Sequence, residues 1–393
     1  MKLNRLPLLA RILIAIFLGI VLGRIMPLWT LSVFTTFNAL FSSFLKFLIP
    51  LIIVGLVMPA IADIGRSAGR LLVVTVAIAY GSTVFAGLFS YGVSSAVFPQ
   101  LITTSTVATV EGAAESVAPP YFTLAIPPLL DVMSALVLAF VAGLGMAYLG
   151  LPRMKGVADD LRSLVEKTIG VAVIPLLPLY IFGIFAEMTR SGRAWHIVMT
   201  FAAIIGIIFA MHIALLLLQY CIAGGIVRRN PLRLLATMLP AYFTALGTSS
   251  SAATIPVTMR QTVKMGVEAD VAGFTVPLCA TIHMSGSCMK ITACAVALML
   301  MQGLPFTSGM FVGFVMMLGV MMVASPGVPG GAIMASLGVL SSMLGFGEQD
   351  QALMIALYIA MDSFGTACNV TGDGAIALVV NRLFISRAPS RHQ

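Results

Sequence analysis

The sequence predicts an all-α polytopic membrane protein with eight transmembrane helices and two re-entrant hairpins. Three observations support this fold class. Of the 393 residues, 60% are hydrophobic and only 9% are charged, which is too few charges to cover a soluble protein of this length. Apolar runs near the roughly 20 residues that cross a bilayer recur along the chain. Two later apolar segments are interrupted at their centres by Ser, Gly or Pro.

The first six spans are predicted from apolar runs without such interruptions. They cover residues 8–27, 37–61, 70–98, 121–150, 162–186 and 195–224. The first run lacks a small-residue cleavage site and further spans follow it, so we expect a membrane span there and no cleaved signal peptide.

Lys and Arg are concentrated in short loops, as in membrane proteins oriented with the positive side inside. The basic clusters are Lys2/Arg5/Arg11, Arg66/Arg70, Arg153/Lys155/Arg162 and Arg228/Arg229/Arg233. They alternate with loop 100–120, which has Glu111 and Glu115 but no Lys or Arg, whereas Arg190 and Arg193 depart from the pattern. Both termini are therefore predicted to be cytoplasmic. Since these loops account for the net charge of +8, no nucleic-acid partner is expected.

Two segments after residue 233 are predicted to be hairpins. Segment 234–258 contains TALGTSSSAATIP, and segment 306–343 contains VASPGVPGGAIM. Non-helical backbone is tolerated at membrane depth where protein or a water-filled cavity surrounds it. The hairpins alternate with two long spans, 267–301 and 350–383. Paired interruptions indicate a transporter of inverted repeats with its site near the midplane, although two ordinary spans kinked by Gly and Pro would give a similar pattern.

The last span carries four polar residues on one helical face. Asp362, Thr366, Asn369 and Asp373 are spaced i, i+4, i+7 and i+11. Ionisable side chains inside a span are costly and normally face a cavity or a partner, so this stripe predicts a binding surface. A polar seam between helices is the alternative.

The preceding long span contains His283, Ser287 and Lys290 at a spacing that predicts a shared helical face. The next strongly polar residue after Lys290 is Gln302, about 18 Å further along a helix. Lys290 therefore needs a buried anion, or it must lose its proton. For His283, a packed and hydrogen-bonded role is favoured over a proton carrier. Residues 248–251 supply hydroxyl and backbone N–H groups that suit a carboxylate.

Four segments resemble the dicarboxylate/amino acid:cation symporter family, the glutamate-transporter homologues. They are SSSAATIPVTMR (249–260), VPLCATIHMSGS (276–287), GVPGGAIM (327–334) and DSFGTACNVTGD (362–373). The resemblance follows the order of spans along essentially the whole chain. It implies the glutamate-transporter-homologue fold with inverted repeats, in a homotrimer of single membrane units covering residues 1–393.

The resemblance also implies how each unit is divided and where it resides. Residues 8–61 and 121–187 would form a scaffold for trimerisation, and residues 70–98 and 195–385 a transport domain that moves as an elevator. The hairpins near 234–258 and 306–343 belong to the second part. The expected location is the bacterial cytoplasmic membrane, with lipid around the protein. Na⁺, H⁺ or both would be the coupling ion, with no organic cofactor.

Residue by residue, the resemblance implies a substrate site and a Na⁺ site. Asp362 would hold the substrate ammonium, and Thr366 and Asn369 would contact the substrate backbone. The substrate carboxylate would be enclosed by Ser250, Ser251, Gly327, Val328 and Pro329. The Na⁺ ligands would be Asp373, Asn369 and the carbonyl of Cys279, with His283 as a further candidate. Carboxylate and carbonyl oxygens suit a hard cation.

Departures from the family pattern predict a particular variant. Gly365 stands where members with acidic substrates have an arginine, which indicates a neutral amino acid with room beside Gly365. The family signature Asn-Met-Asp-Gly-Thr is replaced by residues 283–287, His-Met-Ser-Gly-Ser, so at least one Na⁺ site is expected to be lost. We hypothesise that Lys290, with or without His283, supplies a tethered or protonatable cation in place of a coupling ion.

The predicted function is secondary active transport of small or medium neutral amino acids. The alternative within this class is symport of acidic amino acids or C4-dicarboxylates, with Lys290 or another base replacing the arginine. An intramembrane hydrolase using Ser285 or Ser287 with His283 lacks nucleophile-elbow spacing. A passive channel is also compatible with the composition, although two hairpins over a charged pocket favour alternating access.

Overall fold

The computed structural model describes residues 7–66, 70–102, 118–192, 194–325 and 329–385. All regular secondary structure in these ranges is helical. The first helices are α1 (Leu8–Ile25), α2 (Leu28–Arg66), α3 (Arg70–Leu101), α4 (Val132–Leu149), α5 (Pro152–Thr168), a π-helical turn (Ile169–Val173), α6 (Ile174–Arg190) and α7 (Ala194–Val227). The remaining helices are α8 (Pro231–Thr248), α9 (Ser251–Lys264), α10 (Ala269–Ile282), α11 (Ser285–Met301), α12 (Ser308–Val323), α13 (Gly331–Leu344), α14 (Glu348–Ala360) and α15 (Asp362–Ile385).

The predicted count of eight spans is confirmed within the described ranges. Seven helical stretches are long and apolar enough to cross a membrane, and the bent pair α14–α15 forms an eighth. Boundaries differ from the prediction in places. The span predicted at 121–150 begins only at Val132, because the Asp131 side chain caps α4 by accepting a hydrogen bond from the Ser134 N–H at 3.0 Å. Hydrogen bonds from the Ser134 hydroxyl and N–H hold the pKa of the Asp131 carboxyl below its usual range.

Both predicted re-entrant hairpins are present. Helix α8 packs against α9, and α12 packs against α13. The first turn is made by Ser249, which has a left-handed φ of 50°, and by Ser250, whose hydroxyl caps α9 by accepting from the Ala253 N–H at 3.3 Å. In the second hairpin, α13 begins after Gly330, whose φ of +76° suits glycine. These segments are hairpins and not kinked single spans.

The two long spans that alternate with the hairpins are each broken near the middle. The first unwinds at His283 and Met284, between α10 and α11. The second bends by 62° between α14 and α15. The predicted common face of His283, Ser287 and Lys290 is therefore wrong, since His283 lies before the helix that carries the other two. The four-residue stripe that starts at Asp362 remains within α15.

Helices pack in two sets. In the first, α1 packs on α6 and α2 packs on α4 and α5 at close range. A Cβ added to Gly23 would lie 2.6 Å from the Ala186 carbonyl oxygen, so this glycine permits backbone contact between α1 and α6. In the second set, α15 packs against α7 to α11, and α11 lies between α3 and α15. Helices α11 and α15 therefore meet in the protein interior, where their polar side chains face each other.

Candidate substrate and ion site

The first turn of α15 places a buried carboxylate at the 62° bend. Asp362 is 7% exposed, and one carboxylate oxygen, Oδ1, lies 3.1 Å from the Nζ atom of Lys290 on α11. The other oxygen, Oδ2, accepts a hydrogen bond from the Gly330 N–H at 2.9 Å. Both oxygens of this carboxylate are thus engaged, one by the second hairpin and one by an ammonium group of the same chain.

Lys290 is completely buried, and its surroundings explain how the charge is tolerated. Besides Asp362, the ammonium faces the ring of Tyr358 at 3.4 Å from the centroid and donates to the Met361 carbonyl at 3.5 Å. The requirement for a buried anion that the sequence predicts is met by Asp362. Helices α10 and α11 together form a span whose most apolar window is 94% buried, so this lysine has no path to water along its own helix.

Lys290 also fills the space that the sequence predicted to be free. A Cβ added to Gly365 would lie 2.7 Å from the Lys290 Nζ atom and 3.0 Å from its Cε atom. Gly365 therefore makes room for the lysine side chain, and the room beside it is not open. The lack of a side chain at Gly365 therefore no longer supports a neutral substrate, because the Lys290 ammonium group occupies the space beside this glycine.

Asn369 links α15 to the start of α11. Its Oδ1 atom accepts from the Gly286 N–H at 2.8 Å and the Ser287 N–H at 3.3 Å, two of the otherwise unpaired N–H groups at a helix start. Its amide group donates to the Ser287 hydroxyl at 3.2 Å. Thr366 donates to the Asp362 backbone carbonyl at 2.9 Å. Asn369 thus acts as a cap of α11 in this arrangement.

Four of the predicted substrate ligands, Ser251, Asp362, Thr366 and Asn369, line one small cavity. Its lining residues are Ser249, Ser251, Met284, Ser287, Ser325, Ala332, Tyr358, Asp362, Thr366 and Asn369. The water-accessible space is about 20 Å³, enough for one water molecule. Ser250 and Pro329 are not among the lining residues, and Gly327 and Val328 lie outside the described residues. With Lys290 on Asp362, the cavity is too small for an amino acid.

A second buried pair lies further along α15. The Nδ1 atom of His283 is 2.9 Å from Oδ1 of Asp373, and both residues are 1% exposed. The other ring nitrogen, Nε2, lies 3.1 Å from the Ser82 hydroxyl on α3. Gln219 on α7 donates to that hydroxyl at 3.1 Å and to the Ser285 hydroxyl at 3.3 Å. The chain of hydrogen bonds therefore joins four helices, α3, α7, α11 and α15, around the unwound residues.

The predicted Na⁺ ligands are not arranged for a sodium ion here. A hard cation requires several free oxygen ligands, but Asp373 Oδ1 faces an imidazole and the Cys279 carbonyl accepts from the His283 N–H at 2.8 Å. The Asn369 oxygen is engaged by two backbone N–H groups. Nor does the described part of the chain contain a group of three or more His, Cys, Asp or Glu residues suited to a metal. The residues present do not fit this Na⁺ site.

Several residues of the site were not among the predicted ligands. They are Ser82, Gln219, Gly330, Tyr358 and Ser363. The hydroxyl of Ser363 lies 2.6 Å from the hydroxyl of Ser249. Gln219 carried a detectable signal, since it is a lone amide in the apolar run LLLLQYCI. Tyr358 lies four residues before Asp362, but the bend between their helices hides the relationship from helical periodicity.

A larger cavity of about 410 Å³ lies beside the small one. It is bordered by α2 and α5 on one side and by α10 and α12 on the other. Asp63, Arg162 and Glu166 line it together with apolar residues. Ser325, at the end of α12, lines both cavities. The substrate cavity thus adjoins a wider, mostly apolar space next to the second hairpin.

The family model described as "Sodium:dicarboxylate symporter family" matches residues 8–383, nearly the whole chain. The chain belongs to this family. Membership makes the protein a membrane transporter, and it confirms the prediction that the protein is not an enzyme. The suspected resemblance to the glutamate-transporter homologues is confirmed as well.

Curated relatives of this sodium:dicarboxylate symporter family member are amino-acid transporters by name. The chain is 27% identical to the serine/threonine transporter SstT of Acinetobacter baumannii over 94% of its own length and 95% of that protein. It is 31% identical to human excitatory amino acid transporter 2 over 46% of the chain and 31% of that protein. It is 28% identical to mouse excitatory amino acid transporter 3 over 65% of the chain. This match spans 49%, about half, of the mouse protein.

Proposed function

We propose that this protein is a secondary active transporter of small or medium neutral amino acids. The observation that carries the proposal is the Asp362 carboxylate, which is buried, lies at a helix bend and lines a cavity with Ser251, Thr366 and Asn369. A carboxylate in a water-poor site is a strong partner for an ammonium group. Serine/threonine transport by the relative matched along almost its full length supports this substrate class.

The start of α9 offers a complementary group for the substrate carboxylate. Ser251 is the first residue of α9 and lines the same cavity as Asp362. Unpaired N–H groups and the partial positive charge at a helix start favour a bound anion. An α-amino acid carries an ammonium and a carboxylate a short distance apart, so a cavity lined by both a buried acid and a helix start matches both ends.

Acidic amino acids or C4-dicarboxylates are the second candidate. A specific observation favours them, because the Lys290 ammonium lies against Gly365, where members of the family with acidic substrates have an arginine. Once displaced from Asp362, this cation would be available to a side-chain carboxylate. Competition of labelled uptake by alanine, serine, aspartate and succinate separates the two candidates, and we expect alanine and serine to compete more strongly.

Transport is proposed to follow an elevator motion in a homotrimer of the bacterial inner membrane, with both termini cytoplasmic. The scaffold would comprise residues 8–61 and 121–187, and the moving part residues 70–98 and 195–385. The separate packing of the α1/α6 and α2/α4/α5 set from the set around α11 and α15 supports this division. The larger cavity between the two sets, which Asp63, Arg162 and Glu166 help to line, would connect the site to one side of the membrane.

The proposed coupling ion is Na⁺, H⁺ or both. The family name supports Na⁺, whereas the engaged oxygens around Asp373 do not support the Na⁺ site that the resemblance implied. His283 and Asp373 are in direct contact in the protein interior, and this pair is the proposed binding site of a coupling proton.

Uptake in proteoliposomes tests the proposal. We expect labelled alanine or serine to accumulate against its gradient when a Na⁺ or a proton gradient is imposed, each applied separately. Asp362→Asn should abolish uptake, while Asp270→Asn, at an exposed acid of α10, should not. Equal internal and external amino acid at steady state under both gradients would instead identify a passive channel, and no flux of any amino acid would refute the proposal.

A further inference from the structure

Lys290 occupies the position that the proposed function gives to the substrate's ammonium group. Its Nζ atom lies 3.1 Å from Asp362 Oδ1, while Gly330 holds the other carboxylate oxygen. A substrate ammonium can reach Oδ1 only if the lysine ammonium leaves it. The small volume of the cavity agrees with this competition, because the lysine and an amino acid cannot both be bound at the carboxylate.

Two groups near Lys290 could bind its ammonium after it leaves Asp362. The Tyr358 ring, at 3.4 Å, and the Met361 carbonyl, at 3.5 Å, both attract a cation. The absence of a side chain at Gly365 admits the lysine at this position, since an added Cβ would lie 2.7 Å from its Nζ atom. Because both groups already lie within 3.5 Å of the ammonium, a shift toward them inside the protein would free Asp362.

Charge balance gives this exchange a consequence for transport. Without substrate, Asp362 and Lys290 neutralise each other inside the protein. If the lysine were absent, the empty carrier would have to move a buried, unpaired carboxylate across the membrane, which is strongly unfavourable. With a zwitterionic substrate bound, the ammonium of the substrate neutralises Asp362 and the start of α9 faces the substrate carboxylate.

We propose that Lys290 is a resident counter-cation, which occupies the amine subsite of the empty carrier and yields it to the substrate. The empty carrier then returns across the membrane with no external cation bound at Asp362. This inference rests on the proposed function, because it assumes that the substrate amine binds Asp362.

Net uptake and exchange, measured in the same proteoliposomes, test the inference. Net uptake requires return of the empty carrier, whereas exchange of internal for external amino acid does not. For Lys290→Met we expect net uptake to fall by about 100-fold. Exchange should stay within about threefold of the unmodified protein, since substrate neutralises Asp362 in both directions. Lys264→Met, at an exposed lysine of α9, is the matched control and should leave both rates unchanged.

The possible outcomes separate this inference from the proposed function. Unmodified protein that neither takes up nor exchanges amino acids would refute the proposed function itself. Normal exchange and normal net uptake in Lys290→Met would overturn the counter-cation role and leave amino-acid transport intact. If Lys290→Met loses exchange too, thermal unfolding with and without amino acid decides. We expect a larger stabilisation by ligand than in the unmodified protein, because the competitor is gone, and an equal or smaller one overturns the inference.

Gly365→Ala provides a second variant if Lys290→Met does not fold. The added methyl group would lie 2.7 Å from the Lys290 Nζ atom, so it displaces the ammonium from Asp362 without changing the charge. Net uptake should again fall more than exchange does. A proportional fall in both rates, or no fall in either, would overturn the inference.

Discussion

The imidazole of His283 and the carboxylate of Asp373 form a buried pair at 2.9 Å, with His283 between α10 and α11 and Asp373 on α15. The histidine stands where the family signature has an asparagine, next to the residues expected to bind Na⁺. The imidazole of His283 thus contacts the Asp373 carboxylate at a place where a metal ion would otherwise bind.

Replacing His283 is therefore expected to change the ion dependence of transport. His283→Asn leaves Asp373 buried without its partner, so a bound cation becomes necessary. We expect the Na⁺ concentration for half-maximal uptake to fall by about tenfold or more, one power of ten corresponding to about 1.4 kcal/mol of added binding energy. Uptake measured at increasing Na⁺, with choline as the replacement, gives this value.

His212→Asn is the control, because His212 is also buried but contacts the Gly286 carbonyl at 3.2 Å. It should retain the ion dependence of the unmodified protein, even if its rate falls. Identical Na⁺ dependence in His283→Asn and the unmodified protein would contradict the interpretation.

Asn369 is expected to be important for stability as well as for the site. Asn369→Ala leaves the N–H groups of Gly286 and Ser287 unpaired in the interior, at a cost of about 3 kcal/mol. Asn381, near the end of α15, accepts from the Glu268 N–H at 3.1 Å and donates to the Gly266 carbonyl at a longer 3.5 Å, and Asn381→Ala should cost about 1 kcal/mol. Thermal unfolding in detergent should give the larger decrease for Asn369→Ala, and equal decreases would show that it does not cap α11.

Lys46 on α2 and Glu348 at the start of α14 form a salt bridge of 2.6 Å across the two proposed parts. The Lys46 side chain is 52% exposed and the Glu348 side chain 41%, so the bridge contributes about 1 kcal/mol or less. If the parts move relative to each other, joining these positions should stop transport. In a Cys221→Ala background, we expect a reversible thiol cross-linker to abolish uptake by Lys46→Cys/Glu348→Cys, and reductant to restore it.

Arg260→Cys/Lys264→Cys is the matched control for cross-linking, since both positions are exposed on the single helix α9. Its uptake should be unaffected by the reagent. Full activity of the cross-linked Lys46/Glu348 pair would mean that α2 and α14 do not separate during transport.

The contact between α1 and α6 predicts that alanine substitution will destabilise the protein at one glycine and not at another. In Gly23→Ala the new methyl group would lie 2.6 Å from the Ala186 carbonyl oxygen, which should cost about 1–3 kcal/mol through overpacking. In Gly145→Ala it meets nothing within 4 Å, so stability should be unchanged or slightly higher. Thermal unfolding in detergent compares them, and similar values would show that the backbones of α1 and α6 are not in close contact.

Local features of the sequence were sufficient for the architecture. A bilayer imposes a minimum apolar length, so the spans could be located from residues close together in the chain. The Ser, Gly and Pro interruptions located both hairpins, because unpaired backbone at that depth needs special surroundings. The length of apolar sequence after Lys290 was also enough to predict that this lysine needs a buried anion, since a charge cannot remain alone there.

The contacts between distant residues followed only from packing. The predicted span 350–383 contains three carboxylates, Asp350, Asp362 and Asp373, and the bend at Met361 brings Asp362 to Lys290, 72 residues away. The break at His283 turns the imidazole toward Asp373, and the missing side chain of Gly365 admits the lysine. Hydrophobicity and helical period describe one segment at a time, whereas the partner of each buried charge depends on how α11 and α15 approach each other.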